Sequence, residues 1–193
     1  MKKNKKTLGI EHKSHRVSFA QPEFGVDFHW SYNNFTTKHE HDFYEFVIIT
    51  EGKMHHIHNT TKTIVSTGMF FVIKPEEYHQ LLPIKNKSSK HVCFSITPDT
   101  LEKIMSTLWQ NDAIKKLTQS LPCVVLPKNI WTNIFNLIER INQCTQITRN
   151  NIHLLIKSAI IELLTFLMNY LEPAEMLQKE TNPPEWLNTF LNM

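Results

Sequence analysis

His39 and His41 stand two residues apart, Glu45 follows four residues later, and Gly52 closes the segment after six more residues. Imidazole nitrogen and carboxylate oxygen are the donors that hold first-row divalent metals. Side chains alternate across a β-strand, so His39, His41 and Glu45 read as one face of one strand, with the two imidazoles close enough to share a ligand. A metal-free reading stands beside this one. The same groups can form the hydrogen-bonded floor of a polar pocket, with Glu45 orienting an imidazole rather than touching an ion.

A second segment follows, from Gly68 through Met69, Phe70, Phe71, Val72 and Ile73 to Lys74, Pro75, Glu76, Glu77, Tyr78 and His79. Together the two segments resemble the paired motifs of the cupin barrel. The first matches that family's spacing throughout. In the second, Gly68 and His79 keep their places, Pro75 is one position late, and Glu76 stands where the family has a tight-turn glycine. The resemblance implies a double-stranded β-helix whose pocket ligands are His39, His41, Glu45 and His79. Four such nitrogen and oxygen donors suit zinc, nickel, manganese or iron.

The elements that must position these groups follow from the hydrophobic period. Short runs rich in Val, Ile, Phe, Tyr and Thr extend from about Val26 to Ile96, as in an antiparallel barrel or sandwich. Glu51 and Gly52 read as a two-residue hairpin turn, which would pair residue 47 with 56 and 45 with 58 and bring His56 and His58 inward beside Glu45. A one-residue slip would turn His55 inward instead, and surface histidines on an edge strand are the plain alternative. Phe28 and Trp30 offer an aromatic platform for a sugar ring, with ordinary barrel core as the plainer alternative. Phe28, Trp30, Phe43, His56 and His58 are thus the candidate ligand contacts. His91, Cys93 and Ser95 share one face of the last strand, and Val92, Phe94 and Ile96 share the other. The sequence leaves open which face turns inward.

After Ile96 the period becomes helical. Thr97 suits an N-cap, Pro98 the first helical position and Asp99 the positive end of the dipole, which predicts a helix to about Leu117. A second helix begins near Lys128 with a stripe of Trp131, Ile134, Phe135, Ile138 and Ile141. A third runs from about Asn151 to Glu172 and stops at Pro173. On this third helix Leu154, Ile161 and Met168 recur every seven residues beside the main apolar stripe, which predicts a homodimer through that face. The alternative cover is the first helix of the same chain.

Composition agrees with one substantial domain plus an appendage: 193 residues, 41% of them hydrophobic. No run approaches the roughly 18 to 20 apolar residues that span a bilayer, and Met1 to Lys6 lead into no apolar signal core, so a cytoplasmic protein with no membrane contact is expected. Cys93, Cys123 and Cys144 show no paired short spacing and read as reduced thiols. The net charge of +3 is more than accounted for by Lys2, Lys3, Lys5 and Lys6, so no nucleic-acid surface is indicated.

A strand domain carrying this motif, a helical segment and a late Pro184, Glu185, Trp186, Leu187 resemble the first two-thirds of an AraC-type transcription regulator. The segment His39 to Phe46, Tyr78 to Gln80 and the late Trp186 and Leu187 look most like regulators of the chitobiose-operon type. The resemblance implies an α+β architecture with a cupin-like antiparallel β-barrel and a C-terminal helical dimerisation segment. Residues 1–24 would form a tail or arm, 25–97 the barrel, 98–172 the helical segment, and 173–193 a linker toward an absent helix-turn-helix domain, through which alone DNA would be bound. It implies a small-molecule effector, a sugar, and no catalytic role. The competing class is a metal-dependent cupin enzyme, an isomerase or dioxygenase.

Overall fold

The computed structural model describes residues 10–32, 36–84, 87–109, 123–147 and 151–171. An N-terminal segment places β1 (Glu11–Lys13), α1 (His15–Ser18) and a 3-10 turn (Pro22–Phe24) ahead of the barrel strands. These are β2 (Val26–Tyr32), β3 (His39–His41), β4 (Tyr44–His58), β5 (Thr61–Ser66), β6 (Met69–Ile73), β7 (His79–Pro83) and β8 (Ser89–Ile96). Then come α2 (Pro98–Leu108), β9 (Val124–Val125), α3 (Lys128–Ile147) and α4 (Ile152–Leu171). The strand limits expected from the sequence, Val26 and Ile96, coincide with the start of β2 and the end of β8.

Two curled sheets share β4. Its first half lies between β8 and β6, which extends the order to β2-β8-β4-β6-β9. Its second half lies between β5 and β7, giving β1-β3-β7-β4-β5. All these pairs are antiparallel except β1 with β3.

Glu51 and Gly52 therefore do not turn a hairpin, contrary to the expectation from their types. They lie inside the 15-residue β4, where the register against β8 shifts between Ile49 and Glu51. Gly52 has φ +75°, and a Cβ there would come within 2.1 Å of the Ser88 carbonyl oxygen, so this crossing between sheets demands glycine. The bulge also resets the alternation. Glu45, Val47 and Ile49 face inward before it; Met54 and His56 do so after it. The actual reversal comes after His58, where Asn59 takes φ 52°.

β4 is buried on both faces, which decides the layering. Val47, Ile49, Met54, Val65, Phe71, Ile73, Leu81 and Cys93 form the barrel interior. Phe46, Ile48, Phe70, Val92, Phe94 and Ile96 face outward and are covered by the helices. Each such side chain, wholly removed from water, contributes about 1.5–3 kcal/mol. α3 presents Ile134, Leu137, Ile138 and Ile141 to this outer core, and α4 presents Ile156, Ala159, Ile160, Leu163, Leu164 and Met168.

The cap of α2 forms as its sequence requires, with the Thr97 side chain accepting from the Thr100 amide. The helix ends at Leu108 rather than Leu117, because Trp109 turns extended (φ −134°, ψ 164°) and packs on the outer core; residues 110–117 of the expected helix lie outside the described residues. On the proposed dimer face Leu154 is 53% exposed, Ile161 is half-buried, and Met168 is buried in its own chain's core.

Candidate ligand-binding and metal site

The first motif is split between two strands. β3 ends at His41, Asp42 and Phe43 turn the corner, and β4 carries Glu45. The corner is held from three sides. The Asp42 amide donates to the Lys13 carbonyl at 3.2 Å, the Glu76 amide to the His41 carbonyl at 2.9 Å, and the His41 Nδ1 hydrogen to the Phe43 carbonyl at 2.6 Å. His39 pairs across the ladder with His79 on β7. Glu76 itself adopts φ 66°, so the second motif keeps its left-handed turn without the glycine that would make it strain-free.

His39, Glu45 and His79 converge: one donor atom from each lies within 4.8 Å of the others, and all three residues are buried. The His79 Nε2 is 3.2 Å from Glu45 Oε2 and the His41 Nε2 is 3.7 Å from the same oxygen. His39 points its Nδ1 at the Thr37 carbonyl, 2.7 Å away. His39 thus spends Nδ1 on the backbone and leaves its Nε2 lone pair free, as metal-bound imidazoles do, whereas His41 turns its Nε2 toward Glu45. The buried His41 Nε2 has no hydrogen-bond partner among the described residues. Tetrahedral metal sites need donor atoms about 3.3 Å apart, so small side-chain adjustments would let His39, Glu45 and His79 hold a divalent ion, with His41 as the fourth donor. Bound there, such an ion supplies Lewis-acid attraction for a ligand oxygen.

Burial alone would push the Glu45 carboxyl up, but its contacts with His41 and His79 outweigh that and hold it well below the usual carboxylate range. Burial lowers His39 to about 4, with the neighbouring His79 adding to the effect. The floor therefore carries an anionic carboxylate among imidazoles, and His39 is neutral at pH 7.

Above this floor lies a cavity of about 350 Å³. Besides His39, Glu45 and His79, its walls include Lys13, Ser18, His29, Ser31, Thr36, Phe43, His91 and Cys93. Phe43 stacks on His41 with ring centroids 4.3 Å apart, and Phe19 from the N-terminal segment packs on Phe43 at 4.9 Å. The face of β8 left undecided by the sequence is resolved: His91 and Cys93 turn into the cavity, and Val92 and Phe94 turn to the helices. Burial lowers His91 to about 4 and pushes the Cys93 thiol up.

Of the five expected contacts, Trp30 and Phe43 line the cavity, and Phe28, His56 and His58 fall elsewhere. Phe28 packs against the helical core and tilts onto Phe94 at 5.1 Å, because β2 pairs Phe28 with Phe94 and both share the outer face. Trp30 lines the cavity as expected while also packing against that core. His56 is inward, stacked on Phe71 at 4.3 Å and 6.4 Å from the His79 ring, but it is not part of the cavity wall. His58 is drawn toward the turn before β7, where its Nε2 lies 3.1 Å from Glu77 Oε2. Lys13, Ser18, His29, Ser31 and Thr36 join the wall without belonging to any motif. The alternation of β2 placed His29 and Ser31 on the polar face, whereas nothing in the local sequence marks Lys13.

Two curled sheets with a histidine–glutamate cluster on the inner face define a cupin-type barrel, here followed by helices on the outer face. The AraC-like ligand binding domain family matches residues 25–147, and the chain belongs to that family. No curated protein matches the chain. Among solved structures, a cupin 2 conserved barrel domain protein from Salinispora arenicola is 13% identical, with 43% of this chain and 72% of that one covered and a TM-score of 0.37. A cupin 2 conserved barrel domain protein from Rhodopseudomonas palustris is 19% identical, with coverage of 46% and 69% and a TM-score of 0.36. A predicted oxalate decarboxylase from Thermotoga maritima is 15% identical, with coverage of 39% and 70% and a TM-score of 0.37.

Proposed function

We propose that this chain is the effector-sensing and dimerising part of an AraC-type transcription regulator that responds to a sugar, of the kind that controls a chitobiose operon. The observation that carries the reading is the cavity of about 350 Å³, large enough for a monosaccharide and walled by hydroxyl, imidazole and carboxylate groups that match a polyol. Residues 25–97 sense, 98–172 dimerise, and 173–193 lead toward a helix-turn-helix domain that makes the DNA contacts, in the cytoplasm. His39, His41, Glu45 and His79 would hold a divalent metal, which would supply Lewis-acid attraction for ligand oxygens. Effector binding shifts the population of protomer arrangements through α3 and α4, which pack on the outer face of the strands that wall the cavity.

The convergence of His39, Glu45 and His79 also favours a second reading, a metal-dependent enzyme with an open coordination position. A panel of mono- and disaccharides tests both. Sensing predicts a saturable rise in melting temperature with the sugar recovered unchanged, and a shifted dimerisation constant by sedimentation equilibrium. Recovery of a converted sugar would establish the enzyme instead.

A further inference from the structure

Among the described residues, two side chains with permanent charge line the cavity, Glu45 and Lys13. Their situations differ. Glu45 is engaged by the imidazoles of His41 and His79. Lys13, half-buried on β1, has no ion-pair or hydrogen-bond partner for its ammonium among the described residues, although its charge acts on His29, His39 and Cys93, which belong to three other strands. A half-buried ammonium on the wall of a half-open cavity, with no counter-charge among the described residues, gains a charge-assisted partner when a ligand brings an anion.

Resting on the sensing reading above, we infer that the effector is a monosaccharide-sized acid whose carboxylate pairs with Lys13 while its hydroxyls meet the histidine and hydroxyl groups of the wall. A carboxylate fits better than a phosphate. Tight phosphate sites use bidentate arginine or several backbone amides at a helix N-terminus, and neither lines this cavity among the described residues. One ammonium suits one monoanion. The arm strand β1 thereby becomes part of the site: Lys13 lies beside His41 in the parallel ladder, so the cation and the donor cluster are fixed relative to each other by backbone pairing.

Calorimetry on the full chain, purified without chelator, tests this with matched pairs: glucose against glucuronate, galactose against galacturonate, and glucose 6-phosphate as the phosphate probe. At least one uronate should bind more tightly than its neutral partner by roughly tenfold or more. Lys13→Met should remove that preference and Lys13→Arg should keep most of it, with unchanged circular dichroism for both. Equal binding of neutral and acidic sugars, or a preference that survives Lys13→Met, overturns the inference and leaves sugar sensing standing. Stronger binding of glucose 6-phosphate overturns the carboxylate assignment. Binding of no member of either series counts against both the inference and the sugar-sensing reading.

Discussion

The Nε2 of His79 lies 3.2 Å from Oε2 of Glu45, joining β7 of one sheet to the half of β4 that belongs to the other. This contact ties the two sheets together at the point where the cavity begins. If the cluster holds an ion, protein purified without chelator should carry about one divalent metal per chain by mass spectrometry, and His39→Ala or His79→Ala should reduce it at least tenfold. An ion content that ignores both substitutions would remove the metal centre.

Acid should weaken the fold through its buried imidazoles. A histidine in the unfolded chain takes up a proton near pH 6.5, whereas burial holds His91 at about 4 and His56 at about 3. Between those values the unfolded chain binds more protons, so stability is full above pH 6.5 and falls as the pH drops. His91 alone should cost about 2 kcal/mol between pH 7 and 5. Urea midpoints across that range should fall more steeply for wild type than for His91→Gln, and equal slopes would contradict the buried, neutral imidazole.

Glu76 occupies left-handed backbone at φ 66° and is exposed. Replacing it with glycine removes a steric cost of about 1 kcal/mol, so Glu76→Gly should be more stable than wild type by urea denaturation despite the greater freedom of its unfolded chain.

Leu154 and Ile161 leave apolar surface on α4 that the described core does not bury, whereas Met168 is taken up by the core. Leu154→Glu with Ile161→Glu should give a folded monomer by light scattering. Met168→Glu should instead destabilise the fold, since it buries a carboxylate. A double variant that remains dimeric would exclude this face of α4.

Phe28 belongs to the outer core, so Phe28→Ala should lower stability by on the order of 2 kcal/mol while leaving the affinity for a stabilising ligand unchanged. Lost affinity with intact stability would return Phe28 to the site.

Much of this arrangement is legible in the residues. The spacing of His39 and Glu45 does bring both into one cluster, though across a corner between β3 and β4 rather than along one strand, and the period change at Thr97 marks the start of α2. Other features are hidden for physical reasons. Glu45 through Ile49 are all buried, so alternation along β4 carries no sign of which face meets the cavity and which meets the helices. The Gly52 bulge looks like a hairpin turn because both need positive φ; only the Ser88 carbonyl pressed against it, a contact from far along the chain, separates the two. Phe28 and Trp30 follow the outer face of β8, a pairing no local pattern encodes.

On the proposed function, effectors bind inside the barrel. Ser31 lines the cavity and pairs with His91, so Ser31→Phe should place a ring in that space. The decisive measurement is the ligand-induced shift in melting temperature for wild type and Ser31→Phe. The claim predicts a saturable shift in wild type that vanishes in a folded Ser31→Phe protein. An equal shift in both would place binding outside the barrel and contradict it.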